Sequence, residues 1–303
     1  MSKIQLPPQP RQITSRRRLN DDLEGQVPFY KLVVVSSPPG YGKTTLLLDW
    51  AHKTDVSVGW YSLGDEANNI QFFFRYLYKA WENIQPHLKH SELGILLSGS
   101  HLDVEALLTA FLNEAVKLND HTAIILDDFH AVSDAEILKS LTFLIDNLPE
   151  KLHFILASRT EPPLPMPKYR SQGVVYERNV YDLQFSPDEA WDYFTQNKRL
   201  ALEREEVESI NTQLEGWAAG MHLAALTYLR HPERAGKLKL TGDQRFIADY
   251  LTEEIVSQLD PRLQEFLLST SILTRMTAAL CDRLTGRDDG QSFLESLEES
   301  NLF

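Results

Sequence analysis

The chain has 303 residues, 43% of them apolar, and 30 Lys and Arg against 43 Asp and Glu give it a formal net charge of −13. That length suggests two or three domains with ordinary packed cores. The acidic balance argues against a basic nucleic-acid face over the whole chain, and a local basic patch stays open. One cysteine, Cys281, excludes an intrachain disulfide and fits a reducing cytoplasm. Met1 to Arg18 is polar and proline-bearing, with no apolar core of a secretory signal. No apolar run reaches the roughly 18–20 residues of a membrane span, so a cytoplasmic protein with no membrane partner is expected.

Residues 1–30 read as an irregular N-terminal arm with a short helix around Arg18 to Leu23. Arg16, Arg17 and Arg18 cluster before the first core strand, as a solvated basic turn or as a lip over a nucleotide. From position 31 strands and helices alternate. Lys31–Val35 is an apolar strand, and Ser36-Ser37-Pro38-Pro39-Gly40-Tyr41-Gly42-Lys43-Thr44-Thr45 follows it directly. The helical pattern Lys43–Lys53 comes next. A buried strand, a glycine-bearing loop and a helix start make a phosphate-binding loop, with backbone N–H groups and the helix dipole facing an anion. Lys43 would reach the β- and γ-phosphates, and the Thr44 hydroxyl would ligate Mg²⁺. Ser37 stands where the usual pattern has its first glycine; Gly40 and Gly42 still supply a permissive backbone.

Val58–Leu63 is the second strand. Ile70–Ile84 is a helix whose aromatic stripe (Phe72, Phe73, Phe74, Tyr76, Tyr78, Trp81) reads as core packing, as does Trp60. The helix Val104–Leu118 leads into Ala123-Ile124-Ile125-Leu126-Asp127-Asp128, a short apolar run ending in two carboxylates. Such a run is a doubly covered parallel strand, and ligands sit at the carboxyl ends of such strands. Asp127 would hold Mg²⁺, through water, and Asp128 would orient or deprotonate an attacking water. Helix capping or turn formation is the alternative reading of the pair, and the phosphate loop upstream weighs against it. His130 reads as a turn histidine or a polar contact near the site. After a helix over Asp134–Asn147, the strand Leu152–Ala157 runs into Ser158-Arg159. The Arg159 fork suits phosphate oxygens. The stretch Glu161–Pro167 breaks regular structure and reads as a loop, followed by a short strand at Val174–Glu177.

After Leu183 the strands stop. Ser186-Pro187-Asp188-Glu189 is a helix start, with a Ser cap, Pro at the first position and an acid three residues on. Helices are expected over Asp188–Lys198, Arg204–Leu214 and Trp217–Leu229. A polar stretch from His231 to Gly242 precedes a last helical block: Phe246–Leu259, Pro261–Thr270, Thr277–Leu284 and Gln291–Ser300. The fold class is therefore α/β, a parallel sheet with helices on both faces followed by all-α segments. The divisions are 1–30 for the arm, 31–183 for the nucleotide-binding domain, 184–242 for a helical domain and 243–303 for a third domain.

These stretches resemble the STAND class of P-loop ATPases, in particular the MalT-like, LuxR-type ATP-dependent transcriptional regulators. The resemblance rests on Arg16-Arg17-Arg18-Leu19, Ser36–Leu46, Val58-Gly59-Trp60-Tyr61-Ser62-Leu63, Leu126-Asp127-Asp128-Phe129-His130 and Leu156-Ala157-Ser158-Arg159. Further along, Glu215-Gly216-Trp217-Ala218-Ala219-Gly220, Phe266–Ser271 and Leu297–Phe303 carry it to the end. It implies nucleotide-binding, helical and winged-helix domains in series. It also implies a signal-gated switch that rests with ADP, takes up ATP when an inducer is sensed, and then self-associates. Lys43, Thr44, Asp127, Asp128 and Arg159 fall on the phosphate-loop, Mg²⁺, catalytic and sensor positions. The backbone from Pro39 through Gly40, Tyr41, Gly42 and Thr45 completes the cradle, Arg16 or Arg18 falls near the adenine-side arm, and Gly216-Trp217 falls where the helical domain meets the nucleotide. Ala218 departs from the Pro of many relatives.

In relatives a wing and a histidine-bearing segment follow the Phe303 position, so the resemblance implies an incomplete winged helix here. A slow regulatory ATPase is the leading expectation, with no DNA binding by this segment. An AAA-type loader ATPase, the switch of a defence receptor and a metabolic P-loop kinase are the competing readings. Gly216-Trp217 and the Leu-Asp-Asp-Phe-His string favour the switch.

Overall fold

The computed structural model describes residues 3–8, 13–99, 102–230, 256–273 and 275–299. Two compact units divide the chain. The first comprises Met1–Ser37 with Gly42–Leu183, and the second Pro38–Tyr41 with Gln184–Phe303.

The first unit is built on a five-stranded sheet of β1 (Leu32–Ser36), β2 (Ser57–Ser62), β3 (Thr122–Asp127), β4 (Leu152–Ser158) and β5 (Val175–Arg178). All neighbours run parallel in the order β2-β3-β4-β1-β5. β3 and β4 are buried along their whole lengths, which is why both read as continuous apolar runs. The helices are α1 (Arg17–Gln26), α2 (Lys43–Ala51), α3 (Ile70–Glu82), α4 (Glu92–Ser98), α5 (Val104–Ala115), α6 (Ala135–Asn147), α7 (Met166–Gln172) and α8 (Val180–Leu183). Side-chain caps start several of them: Asn69 for α3, Ser91 for α4, Asp103 for α5 and Asp134 for α6. The α3 stripe is core, as expected: Phe73, Phe74, Tyr78 and Trp81 are buried and only Phe72 stays largely outside. Each such ring contributes about 2–3 kcal/mol of apolar burial.

Three expectations for this unit need correction. The helix expected around Arg18 to Leu23 is present but longer: α1 runs ten residues and buries Leu19, Asn20 and Leu23, and a 3-10 turn at Val27–Phe29 leads into β1. The proline stretch is a loop only as far as Pro165, because α7 starts at Met166 with Pro167 in its first turn, where a missing N–H costs nothing. Between Gln85 and Asp103, where no helix was expected, lie a 3-10 turn and α4.

In the second unit, α9 (Pro187–Asp192) opens with the full capping box between Ser186 and Glu189. The expected helix to Lys198 does not continue as an α-helix. It widens to a π-turn over Tyr193–Asn197 that closes with Lys198 N–H donating to Tyr193 O, and Arg199 then turns left-handed at φ 55°. α10 (Arg204–Gln213) and α11 (Ala218–Arg230) complete a core of Phe185, Phe194, Ile210, Met221, Ala224 and Tyr228. Further on, α12 (Pro261–Thr270), α13 (Ala278–Thr285) and α14 (Gly290–Glu299) pack Leu263, Phe266, Cys281 and Leu297 together. The expected boundary at 242, the polar stretch from His231, most of the expected helix Phe246–Leu259 and the chain end at Phe303 lie outside the described residues. Among the described residues, no helix is long and apolar enough to cross a membrane.

Candidate functional site

The loop after β1 is shaped by two left-handed glycines. Gly40 and Gly42 both sit at φ 83°, and Gly42 is the N-cap of α2, its carbonyl accepting from Leu46 N–H at 2.8 Å. A side chain at either position would be strained. Ser37, in place of the usual glycine, is fully buried and donates its N–H to Ser158 O at 3.2 Å across to β4. Lys43 Nζ donates to Ser37 O at 2.6 Å, with Ser37 Oγ at 3.4 Å. Thr44 Oγ1 donates to Asp127 Oδ1 at 3.0 Å. The loop lysine, the loop threonine and the carboxylate at the end of β3 are therefore brought together as the sequence suggested. Thr45 faces solvent.

The electrostatics follow from burial. Desolvation pulls the Lys43 ammonium down to about 8, the Arg159 guanidinium adds to the fall, and Asp128 and Asp127 oppose it. Burial and the neighbouring Asp128 push Asp127 up to about 6, against the Thr44 hydroxyl bond and Lys43. Asp127 is 3% exposed, so it is a carboxylate held at a real solvation cost.

Asp128 lies just past β3 in the left-handed region, at φ 59° and ψ 41°. Such a backbone costs an L-residue about 1–2 kcal/mol, with Asp and Asn the side chains that tolerate it. His130 follows in a 3-10 turn, its Nδ1 4.0 Å from Asp128 Oδ1. Burial first, then Arg159, holds its imidazole down at about 4, so it is neutral near pH 7. Arg159 follows β4, the strand that pairs with β1, and acts on both Lys43 and His130. Sequence reasoning missed Asn68. Its side chain binds Ala131 O, Ser133 N and Asp134 N, beyond the Asp pair. Nothing local in the sequence signals bonds between residues 63–66 positions apart.

The basic cluster is anchored within the first unit. Arg16 Nη1 donates to Leu183 O at 2.6 Å, and Arg18 Nη2 donates to Asp182 O at 2.9 Å. Both guanidinia thus hold the last carbonyls of α8. In the second unit, Gly216 turns left-handed at φ 69°, and an added Cβ would lie 2.6 Å from Phe185 N. Trp217 Nε1 donates to Pro39 O at 3.1 Å, and Ala219 N donates to Gly40 O at 2.9 Å. Burial, with Glu215 adding to it, raises the Tyr41 hydroxyl. Trp217 and Ala219 therefore meet the backbone at Pro39 and Gly40.

Residues 252–303 match the family model of the MalT winged helix domain. The chain is 33% identical over 306 aligned residues, all of its own length, to the HTH-type transcriptional regulator MalT of Yersinia enterocolitica, of which the match covers 34%. It is 32% identical to the regulator of the same description from Yersinia pestis (strain Pestoides F), over 90% of this chain and 31% of that protein. The chain thus spans about a third of the length of the curated relatives it matches. Among solved structures, a Walker-type ATPase of Pyrococcus abyssi matches with a TM-score of 0.63 at 15% identity, covering 95% of this chain and 90% of that one, which is a likeness of fold. By sequence along its whole length and by fold, this chain is MalT-like: a P-loop ATPase fold followed by all-α segments and a MalT winged-helix match.

Proposed function

We propose that this chain is the nucleotide-gated switch module of a MalT-like transcriptional regulator, a slow ATPase that holds ADP at rest and self-associates with ATP. The observation that carries this reading is the bond of Thr44 Oγ1 to Asp127 Oδ1 at 3.0 Å beside the buried Lys43. Two oxygen donors of this kind suit Mg²⁺, and a buried carboxylate pushed up to about 6 is one that a cation would stabilise. Thr44 and Asp127 would hold the ion, which when bound shields the charge of the β- and γ-phosphates. Lys43 would exchange the Ser37 carbonyl for phosphate oxygens, and the backbone from Pro39 through Thr45, with the N–H groups of Gly40 to Thr45, would complete the cradle. Asp128 would orient the attacking water and take its proton as the water oxygen bonds to the γ-phosphorus. The bond from that phosphorus to the bridging oxygen breaks, giving ADP and phosphate. Arg159 would stabilise the developing charge. Arg16 or Arg18 is assigned to the adenine side, and Gly216-Trp217 to the loop tip of their own unit.

The same reading divides the chain at 30, 183 and 242, and places it in the cytoplasm with an inducer still to be found. It gives this segment no sequence-selective DNA binding, since a net charge of −13 opposes phosphate contact. Calorimetry with ADP and with ATP and Mg²⁺ tests the core of the reading. Tight binding by the wild type and its loss in a folded Lys43→Ala variant is the expected result; wild-type affinity in that variant sinks the assignment. Light scattering with each nucleotide tests self-association: an unchanged mass with ATP removes that part.

A further inference from the structure

We propose that Asn68 is a positioning residue for hydrolysis, its amide fixing the turn that aims Asp128; this rests on the ATPase reading above. β2 ends at Ser62, level with Asp127, and Leu63 N donates to Asp127 O at 2.9 Å. A 3-10 turn over Asp65–Asn68 then leads to two adjacent asparagines with different tasks. Asn69 accepts from Gln71 N and Phe72 N, both at 3.1 Å, and caps its own helix α3. Asn68 reaches away from its own segment. Its Nδ2 donates to Ala131 O at 2.7 Å, and its Oδ1 accepts from Ser133 N at 2.7 Å, Asp134 N at 3.0 Å and Ser133 Oγ at 3.3 Å. Two backbone N–H groups can only donate and a carbonyl can only accept, so the orientation of the amide is fixed by its partners.

The segment so gripped is the one that carries the catalytic geometry. Asp127 is tied to β3. Asp134 accepts from Glu136 N and Ile137 N, both at 3.0 Å, and so starts α6. Between them Asp128 is left-handed, and Ala131 N donates to Asp128 O at 3.0 Å. A strained conformation persists only where its surroundings over-determine it. The strand fixes one end of this six-residue stretch, and Asn68 fixes the other at Ala131, Ser133 and Asp134. One amide thus satisfies three main-chain groups and holds Asp128 and His130 in register. It does so on the β2 side of the sheet, with no part in the phosphate loop. Ala lacks both the reach and the polar atoms, Ser lacks the reach, and Asp keeps only the acceptor.

The test is a cycle of this chain with Asn68→Ala, Asp128→Asn and both, read by single-turnover hydrolysis of ATP and by ATP affinity. Asn68→Ala slows hydrolysis by about tenfold to a hundredfold, the effect of a catalytic group out of place by an ångström or less, and leaves affinity within about threefold. In the Asp128→Asn background the same change slows hydrolysis by less than about twofold more, because the group it positions is already gone. Asn68→Asp, which keeps the acceptor for Ser133 N and Asp134 N, falls between the wild type and Asn68→Ala. It carries the cycle in place of the alanine if that variant does not fold. A wild-type rate in Asn68→Ala, an equal loss of rate and affinity, or fully additive losses in the cycle each overturn the proposal. Asp128→Asn hydrolysing at the wild-type rate removes the group that Asn68 aims and overturns the proposal as well, whereas a wild type that binds ATP with Mg²⁺ and shows no single-turnover hydrolysis overturns the ATPase reading itself, so the two failures are separable.

Discussion

Asp128 is strained where it is, and replacing it separates stability from activity. Its left-handed backbone costs an L-residue about 1–2 kcal/mol, and glycine carries no such cost. Glycine adds freedom to the unfolded chain, which takes back about 0.4–1 kcal/mol. The side chain is about half exposed and its neighbour His130 is neutral near pH 7, so little electrostatic stabilisation is lost. Asp128→Gly is therefore expected to stabilise the fold by about 0.5–1 kcal/mol, a rise of about 2 °C in Tm for a unit of this size. Asp128→Asn keeps the tolerant side chain and should leave Tm within about 1 °C. Both variants remove the proposed base and should slow single-turnover ATP hydrolysis by about 10² or more. Thermal melts and hydrolysis are then read on the same preparations. A lower Tm in Asp128→Gly would mean that no strain is released there. Hydrolysis at the wild-type rate in both variants would remove Asp128 from the mechanism.

Two further outcomes follow from the buried ionisable groups. Asp127 is raised from its ordinary 3.8 to about 6, so its neutral form is favoured on folding and stability falls as pH rises through that window. Asp127→Asn should be more stable than the wild type by on the order of 1–3 kcal/mol near pH 8, with the gap closing near pH 4. It should also lose the Mg²⁺ dependence of nucleotide binding, and urea midpoints together with calorimetry at several Mg²⁺ concentrations check both halves. His153 is 1% exposed, with its Nδ1 2.8 Å from Tyr30 O and its Nε2 2.8 Å from His121 Nδ1. Burial holds it at about 4 instead of 6.5, so its contribution is full above pH 6.5 and is lost as pH falls through 4. That amounts to about 3 kcal/mol. His153→Asn should flatten this acid limb, and wild type and variant losing stability in parallel between pH 7 and 4 would refute it.

The parts of the site that the sequence announces are those set by local chemistry. A strand, a glycine loop and a Lys-Thr pair follow one another between Leu32 and Thr44, and an apolar run ends in two carboxylates. The Ser186 box is equally local, and its helix starts where the pattern says. Strand order is another matter. β1 lies between β4 and β5, so Arg159 ends the strand adjacent to the loop and Asp127 the next one over. No periodicity reports that order. The destinations of Arg16, Asn68 and Trp217 were hidden for the same reason. Their bonds to Leu183, Ala131 and Pro39 span 167, 63 and 178 residues. α7 was missed because proline is a breaker inside a helix and a good first-turn residue at its start, and the pattern alone does not tell which.

The bonds within the loop bear on how tightly it can hold a ligand. Lys43 already has Ser37 O at 2.6 Å, and Thr44 already has Asp127 at 3.0 Å. A phosphate or a cation at these side chains competes with protein partners, each bond contributing about 1 kcal/mol net. Displacing one such bond corresponds to roughly fivefold in affinity. The Ser37 hydroxyl stands 3.4 Å from Lys43 Nζ, where glycine would offer no side-chain partner. Ser37 therefore biases the lysine toward its own loop. The opposing influence is Arg159, which lowers the Lys43 pKa together with burial and so makes a charged partner for this lysine more valuable than a neutral carbonyl. An anionic ligand answers that need and a neutral one does not. On the proposed reading, Ser37 disfavours weakly charged ligands while burial and Arg159 favour a polyphosphate, so the two influences together would select for charge.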